Sequence, residues 1–351
     1  MAIGDEELHV RDLELDGPGP GEVRIRIAAT GICHSDLSGM TGTIPCPTPA
    51  VLGHEGAGEV VAVGDGVTGI AVGDHVVVAW SPPCGTCTTC LRGQPHLCTA
   101  LMGSAFSPKW RLDGDPCFSF AGAGTFAQEV VLAAQAAIVI DKDVPWEIAS
   151  LIGCAVTTGV GAAINSARVT PGSSVVVLGC GGVGISVIQG ARIAGAAEIV
   201  AVDTMAAKHE WAKKFGATHA ATPDEVGELL NSITGGEGFD YAFECVGSPT
   251  TIRSAFDLTR RGGTTTVVGV GRQDAEVTFN AFELFFAEKT LRGTYYGSAD
   301  VRTDFHRLLR LWRAGRLDLE SMISRRLQLD EINDGIASLR RGEVIRQVIT
   351  F

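Results

Sequence analysis

Four cysteines fall within fifteen residues, in the pattern Cys84-x2-Cys87-x2-Cys90-x7-Cys98. Four thiolates so close together can complete a tetrahedral zinc site with no coordination position left open, which makes such a site structural. Two disulfides are the bland alternative, disfavoured by strain at this spacing and by a reducing compartment. An iron–sulfur cluster is the other, and thiolates alone do not separate it from zinc. We read the segment as a zinc lobe.

A second group is built from backbone. Gly179-Cys180-Gly181-Gly182-Val183-Gly184 fits G-x-G-x-x-G and follows an apolar run at 175–178. Glycines there permit a tight turn and let a pyrophosphate approach the backbone, with the positive end of the next helix facing the phosphates. Asp203 ends the next apolar run, 19 residues after Gly184. An acid at that place binds adenine-ribose hydroxyls and repels a 2′-phosphate, which favours NAD over NADP. The competing reading is a ligand-free turn with Asp203 as a plain helix cap.

Cys33, the pair His54-Glu55 and Cys154 are far apart, and no spacing rule joins them. Taken singly, each reads as a buried structural cysteine or a satisfied histidine. Taken together, two thiolates and an imidazole would hold zinc and leave its fourth position open.

Such groups need a scaffold, and composition bounds it. The chain has 351 residues, which suggests about two domains. Hydrophobic residues make up 45% and charged residues 19%, excluding a disordered or fibrous protein. Glycine reaches 45 of 351 residues without a G-X-Y period, consistent with tight turns and close backbone approaches. A net charge of −12 argues against nucleic-acid and membrane-surface partners. Ten cysteines, with no basic or apolar leader in MAIGDEELHV, suggest a soluble cytoplasmic chain. Residues 169–191 are uncharged, but Pro171 and several glycines interrupt them, against a membrane span.

The elements follow from periodicity. Residues 22–28 alternate as a half-buried strand should, and 59–63 and 75–79 are valine-rich strands separated by Gly-Asp turns. Residues 84–98 and 104–124 read as irregular. After Pro145 the period changes: helical segments at 147–167, strands at 174–178, 198–202, 239–244 and 264–268, and helices at 185–194, 206–215 and 250–259. Strands alternating with helices predict βαβ units and a parallel sheet. The end, VIRQVITF, reads as a strand.

With Gly53-His54-Glu55-x2-Gly58-x5-Gly64-x2-Val67 in view, the chain resembles the zinc-containing medium-chain alcohol dehydrogenases. The four-cysteine lobe, the glycine turn and the last strand stand in that family's order, so the resemblance runs almost end to end. It implies an α/β protein with a GroES-like β-rich catalytic domain at 1–155 and 297–351. A Rossmann doubly wound cofactor domain at 156–296 would be inserted into it. It implies two zinc ions per chain and NAD.

By the same resemblance Cys33, His54 and Cys154 ligate the catalytic zinc, with Glu55 as a near ligand and Asp36 orienting His54. Ser35 binds the substrate hydroxyl and passes its proton on. Around the cofactor stand His34, Thr158, Val183, Asp203, Lys208, Val268 and Arg346, the last at the pyrophosphate. Ile44, Trp80, Phe120, Ala121, Val270, Tyr295 and Tyr296 wall the substrate pocket. That mostly apolar wall suggests primary aliphatic or aromatic alcohols and their aldehydes. A formaldehyde dehydrogenase acting on an S-hydroxymethyl thiol adduct is the alternative; Lys109 and Arg111 are its only nearby candidate cations. From a different class, a non-catalytic dinucleotide-binding relative would be expected to lack a zinc ligand.

Two positions depart from the family. Ser38 stands where many members have a histidine ending a proton relay, so the proton is expected to leave through water. His34 replaces a common arginine, which implies faster release of NADH. The length of 104–124 suggests a homodimer, with a tetramer as the alternative.

Overall fold

The computed structural model describes residues 1, 2, 4, 7–100 and 102–351. Two compact units result, one of residues 1–154 with 300–351 and one of residues 155–299.

The first unit is built on a seven-stranded sheet. Its order is Ile323–Leu327, Arg346–Thr350, Glu22–Ile32, Glu55–Val63, His75–Val78 and Ala137–Ile140, with Glu129–Ala133 paired to the start of Glu22–Ile32. The alternating stretch at 22–28 runs on to Ile32, because its later residues are buried between Glu55–Val63 and the last strand of the chain. Val23, Ile25, Ile27, Val60, Val76 and Val78 supply the core under the sheet.

Residues 104–124 are not the irregular loop that their composition suggests. Strands Trp110–Leu112 and Asp115–Ser119 form a hairpin there. Asp113 and Gly114, at φ of 51° and 90°, make the turn. An Asp-Gly pair adopts two positive φ values readily, and this geometry suits the twist of a two-residue hairpin.

The second unit is a parallel sheet in the order His219–Ala221, Glu198–Val202, Ser174–Leu178, Phe239–Glu244, Thr259–Val267 and Thr290–Gly293. The order turns around between Ser174–Leu178 and its neighbours, the doubly wound pattern of a Rossmann sheet. The helix expected at 250–259 is Pro249–Leu258, started by Ser248, whose Oγ accepts from Thr251 N–H at 3.1 Å. The following strand begins at Thr259 rather than 264. Its register jumps from Phe239–Thr259 to Tyr241–Thr264, so the intervening residues are taken up as a bulge.

Trp146–Ala167 is the one stretch among the described residues long and apolar enough to cross a membrane, and 83% of its apolar window is buried in the protein. Its hydropathy is that of a core helix. The uncharged stretch at 169–191 contains strand Ser174–Leu178 and most of helix Gly182–Ala194.

Candidate metal centre and dinucleotide turn

Strand register gathers the first cluster. Gly31 faces Glu55 and Ile32 faces Gln347, so the end of Glu22–Ile32 delivers Cys33 beside Glu55 and Arg346. A side chain at Gly31 would collide with the Glu55 carboxylate. His54 precedes Glu55 behind Gly53, whose φ of 86° and tight contact with Phe126 and Thr125 require glycine. Gly153 packs its backbone 3.2 Å, measured from an ideal Cβ, from Glu55 Cα. That approach places Cys154, the next residue, at the same cluster. The helix there widens into a π-helical turn over Ile152–Val156, a distortion frequent at functional sites.

One ligand atom from each of Cys33, His54, Glu55 and Cys154 lies within 4.8 Å of the others, and all four residues are buried. Asp36 fixes the arrangement. Its Oδ2 accepts from Cys33 N–H at 2.9 Å, and its Oδ1 from Gly53 N–H at 3.0 Å, with His54 Nδ1 at 3.1 Å. The other ring nitrogen, His54 Nε2, is buried and makes no hydrogen bond among the described residues. Contact with Cys154 and His54 pulls the Cys33 thiol well below its ordinary value despite burial. Burial opposes a charged His54, yet Asp36 and Cys33 outweigh it and hold the ring up. Two buried cysteine thiols and the histidine nitrogen that Asp36 does not hold are a donor set that suits a zinc ion.

Glu55 is paired as well as clustered. Arg346 donates to its Oε2, and both side chains are almost wholly buried. Arg346, which the resemblance assigns to a pyrophosphate, therefore stands on the carboxylate beside the thiols. Sequence inspection missed this partnership, since 291 residues separate the two.

Aromatic rings flank the histidine. Trp80 lies edge-on at 6.4 Å between centroids and Phe120 at 5.6 Å. Ile44 and Ala121 pack in the same apolar cluster as Phe120. Ser35 Oγ is 3.8 Å from Cys33 Sγ. Within the other unit, Val268 and Tyr296 are buried while Val270 and Tyr295 are exposed. Lys109 is bound to Glu22 at 2.5 Å, and Arg111 lies 3.9 Å from Asp16. The large cavity of the first unit, about 1080 Å³ between the 8–15 segment and the sheet, holds none of the clustered thiols.

The four lobe cysteines also bring their sulfurs within 4.8 Å. Cys84 Sγ accepts from Thr86 N–H at 3.4 Å and Cys87 N–H at 3.3 Å. The Thr86 contacts lead in lowering Cys84 to about 6, whereas burial pushes Cys90 up to about 12. Four sulfurs this close cannot all ionise without a cation, and a divalent ion resolves the conflict.

In the second unit the glycine turn caps helix Gly182–Ala194. Gly184 packs directly on the Gly179 carbonyl, and Gly179 has a φ of 93°. At Gly181 a Cβ would meet nothing within 4 Å, the open backbone that a pyrophosphate needs. Asp203 Oδ2 accepts from Cys180 N–H at 2.8 Å, and Lys208 Nζ lies 3.4 Å from the same oxygen. Val183 opens the helix, Thr158 lies in the preceding Thr157–Gly161 segment, and His34 is exposed in the first unit.

Comparison with known proteins decides the family. The family model described as alcohol dehydrogenase GroES-like domain matches residues 19–142, and the one described as zinc-binding dehydrogenase matches residues 182–313. A class-3 alcohol dehydrogenase of Cereibacter sphaeroides is 39% identical, over 98% of this chain and 96% of that protein. The chain belongs to the zinc-containing medium-chain alcohol dehydrogenases. An S-(hydroxymethyl)glutathione dehydrogenase of Paracoccus denitrificans is 38% identical to this alcohol dehydrogenase, over 98% of it and 96% of the relative. The fold of the present chain matches benzyl alcohol dehydrogenase from Acinetobacter calcoaceticus with a TM-score of 0.93 at 32% identity, covering 100% of this chain and 97% of that one. A chain from Sinorhizobium meliloti 1021, solved bound to NADP, matches at a TM-score of 0.82 and 27% identity, covering 100% and 97%. This alcohol dehydrogenase is an oxidoreductase with a GroES-like domain and a Rossmann-like parallel sheet.

Proposed function

We propose that this alcohol dehydrogenase interconverts a primary hydroxyl group and its aldehyde, with hydride passing to or from NAD. One observation carries the reading: the buried ligand atoms of Cys33, His54, Glu55 and Cys154 converge within 4.8 Å. Cys33, His54 and Cys154 would hold the catalytic zinc with Glu55 in reserve, and the cysteine lobe would hold a second, structural ion. Zinc supplies a Lewis acid for the substrate oxygen.

The chain's own groups do the rest. Asp36 holds the His54 ring through Nδ1 and so directs Nε2 at the cluster. Ser35 takes the hydroxyl proton, and Ser38, which is no base, leaves that proton to water. The open backbone at Gly181 and the Asp203 carboxylate support a dinucleotide, and the acid favours NAD. Lys208 would share the ribose with Asp203, and Val183, Thr158 and Val268 would line the nicotinamide.

The names of the curated relatives favour an S-hydroxymethyl thiol adduct, the reading placed second from sequence alone. A simple aromatic or aliphatic alcohol is the other reading, favoured by Trp80 and Phe120 around His54. The engagement of Lys109 and Arg111 by carboxylates supports it too, since neither is left over for a peptide's acids.

The ten thiols are unbridged, which suits the cytoplasm. A homodimer fits the exposed face of helix Ala281–Ala287, where Phe282, Phe285 and Phe286 are 68%, 80% and 53% exposed, beside edge strand Thr290–Gly293. We propose functional domain limits at 1–155 with 297–351 and at 156–296, which differ by one to three residues from the bounds of the two compact units.

The test is zinc analysis combined with NADH formation from S-hydroxymethylglutathione, benzyl alcohol and ethanol. Higher kcat/KM with the glutathione adduct selects the first substrate reading, and with benzyl alcohol the second. Activity that survives complete removal of zinc sinks the proposal.

A further inference from the structure

Gly39 lies in helix His34–Met40, the short helix that follows Cys33 and carries Ser35 and Asp36. An ideal Cβ built at Gly39 would stand 2.8, 3.1 and 3.3 Å from three carbons of the Phe120 ring. Real Cβ atoms essentially never come closer than about 3 Å, so the ring occupies space that any other residue would claim. The φ of Gly39 is ordinary. Glycine is therefore needed here for room alone.

Phe120 has little freedom to yield. It is 3% exposed and packs among Leu52, Phe126 and Ile44 in a buried cluster. Its ring edge meets the His54 ring at 5.6 Å with an interplanar angle of 71°. The next residue, Ala121, holds a left-handed φ of 52°, which pins the backbone from which the ring projects. A ring pushed off the helix must move within this packing and change its placement against His54.

We propose that Gly39 is a specificity-setting positioning residue: its missing side chain seats Phe120 against the helix and so fixes the width of the substrate pocket beside His54. It touches no reacting atom and acts only through Phe120. The inference rests on the assignment of Phe120 to the pocket wall made above.

The experiment compares kcat/KM for benzyl alcohol and ethanol with NAD in the zinc-loaded enzyme. Gly39→Ala crowds the ring and is expected to lower the benzyl-to-ethanol ratio by about tenfold, the low end of what a one-methylene misfit changes in an apolar pocket. In a Phe120→Ala background the same substitution should be silent, within about twofold, because the ring it would strike is gone. A folded Gly39→Ala enzyme with an unchanged ratio overturns the proposal, as does an equal effect in both backgrounds. Phe120→Ala alone reads the pocket assignment separately. An unchanged ratio there removes Phe120 from the pocket and the proposal with it. A changed ratio beside an inert Gly39→Ala overturns this proposal alone. Should Gly39→Ala fail to fold, adding Phe120→Leu must restore the fold; continued misfolding means that the new methyl strikes something else, and the proposal falls.

Discussion

The Asp36 carboxylate is shared between the two residues that it brings together, accepting from Cys33 N–H at 2.9 Å through one oxygen and lying 3.1 Å from His54 Nδ1 through the other. Asp36→Asn keeps the shape but sets an amide N–H against one of these donors. Zinc affinity at the Cys33–His54–Cys154 cluster should fall by about 10–100-fold, the usual cost of losing such a partner. Metal analysis after dialysis would show the lobe zinc retained and the other lost. Equal retention of both ions contradicts the assignment.

Asp203 ties the glycine turn through Cys180 N–H and also faces the proposed ribose. Replacing it with asparagine keeps a hydrogen-bonding side chain and removes the charge that opposes a 2′-phosphate. The KM for NAD should rise by roughly tenfold or more, since hydrogen bonds to charged groups contribute about 1.5–3 kcal/mol. The ratio of kcat/KM for NADP to that for NAD should rise as well. A ratio that stays fixed would remove Asp203 from cofactor selection.

Asp240 offers a test by pH. Burial works to raise its carboxyl, but hydrogen bonds from Ser174 and the Arg260 guanidinium outweigh burial and hold it below its ordinary value. A depressed carboxylate stabilises the fold above its unfolded pKa of about 3.9 and ceases to do so as pH falls through the lower folded value. Asp240→Asn should therefore lower Tm at pH 7, and the gap to the native chain should narrow as the pH falls below about 4. A gap that does not narrow at any pH below about 4 at which the native chain stays folded would show that charge has no part in it.

The phenylalanine face gives a prediction about assembly. Phe285→Asp puts a charge on the most exposed ring of helix Ala281–Ala287, where pairing would bury it. Light scattering should report a monomer for this variant and a dimer for the native chain, with the circular dichroism spectrum unchanged. A variant that remains dimeric would move the interface elsewhere.

What could be read from sequence was what is local. The cysteine lobe and the glycine turn each hold their chemistry within a few residues, so spacing alone exposed them. Cys33, His54 and Cys154 meet only through strand register and the close approach of Gly153 to Glu55, and only the family resemblance had united them. The hairpin at Asp113-Gly114 carried its signal openly, but strands of three and five residues are too short to show a period. Gly39 gave none, because a glycine kept for room looks like any other among 45.

The pairing of Glu55 with Arg346 has a consequence for the order in which the molecule can form. Chains grow from the N-terminus, and domains generally fold as units while they emerge. The Glu55 carboxylate waits 291 residues for its guanidinium, and a buried acid without its partner strongly opposes folding. Residues 155–299 contain all six strands of their own sheet. During synthesis, then, the inserted unit is complete while the unit that began first is still missing the last two strands of its sheet.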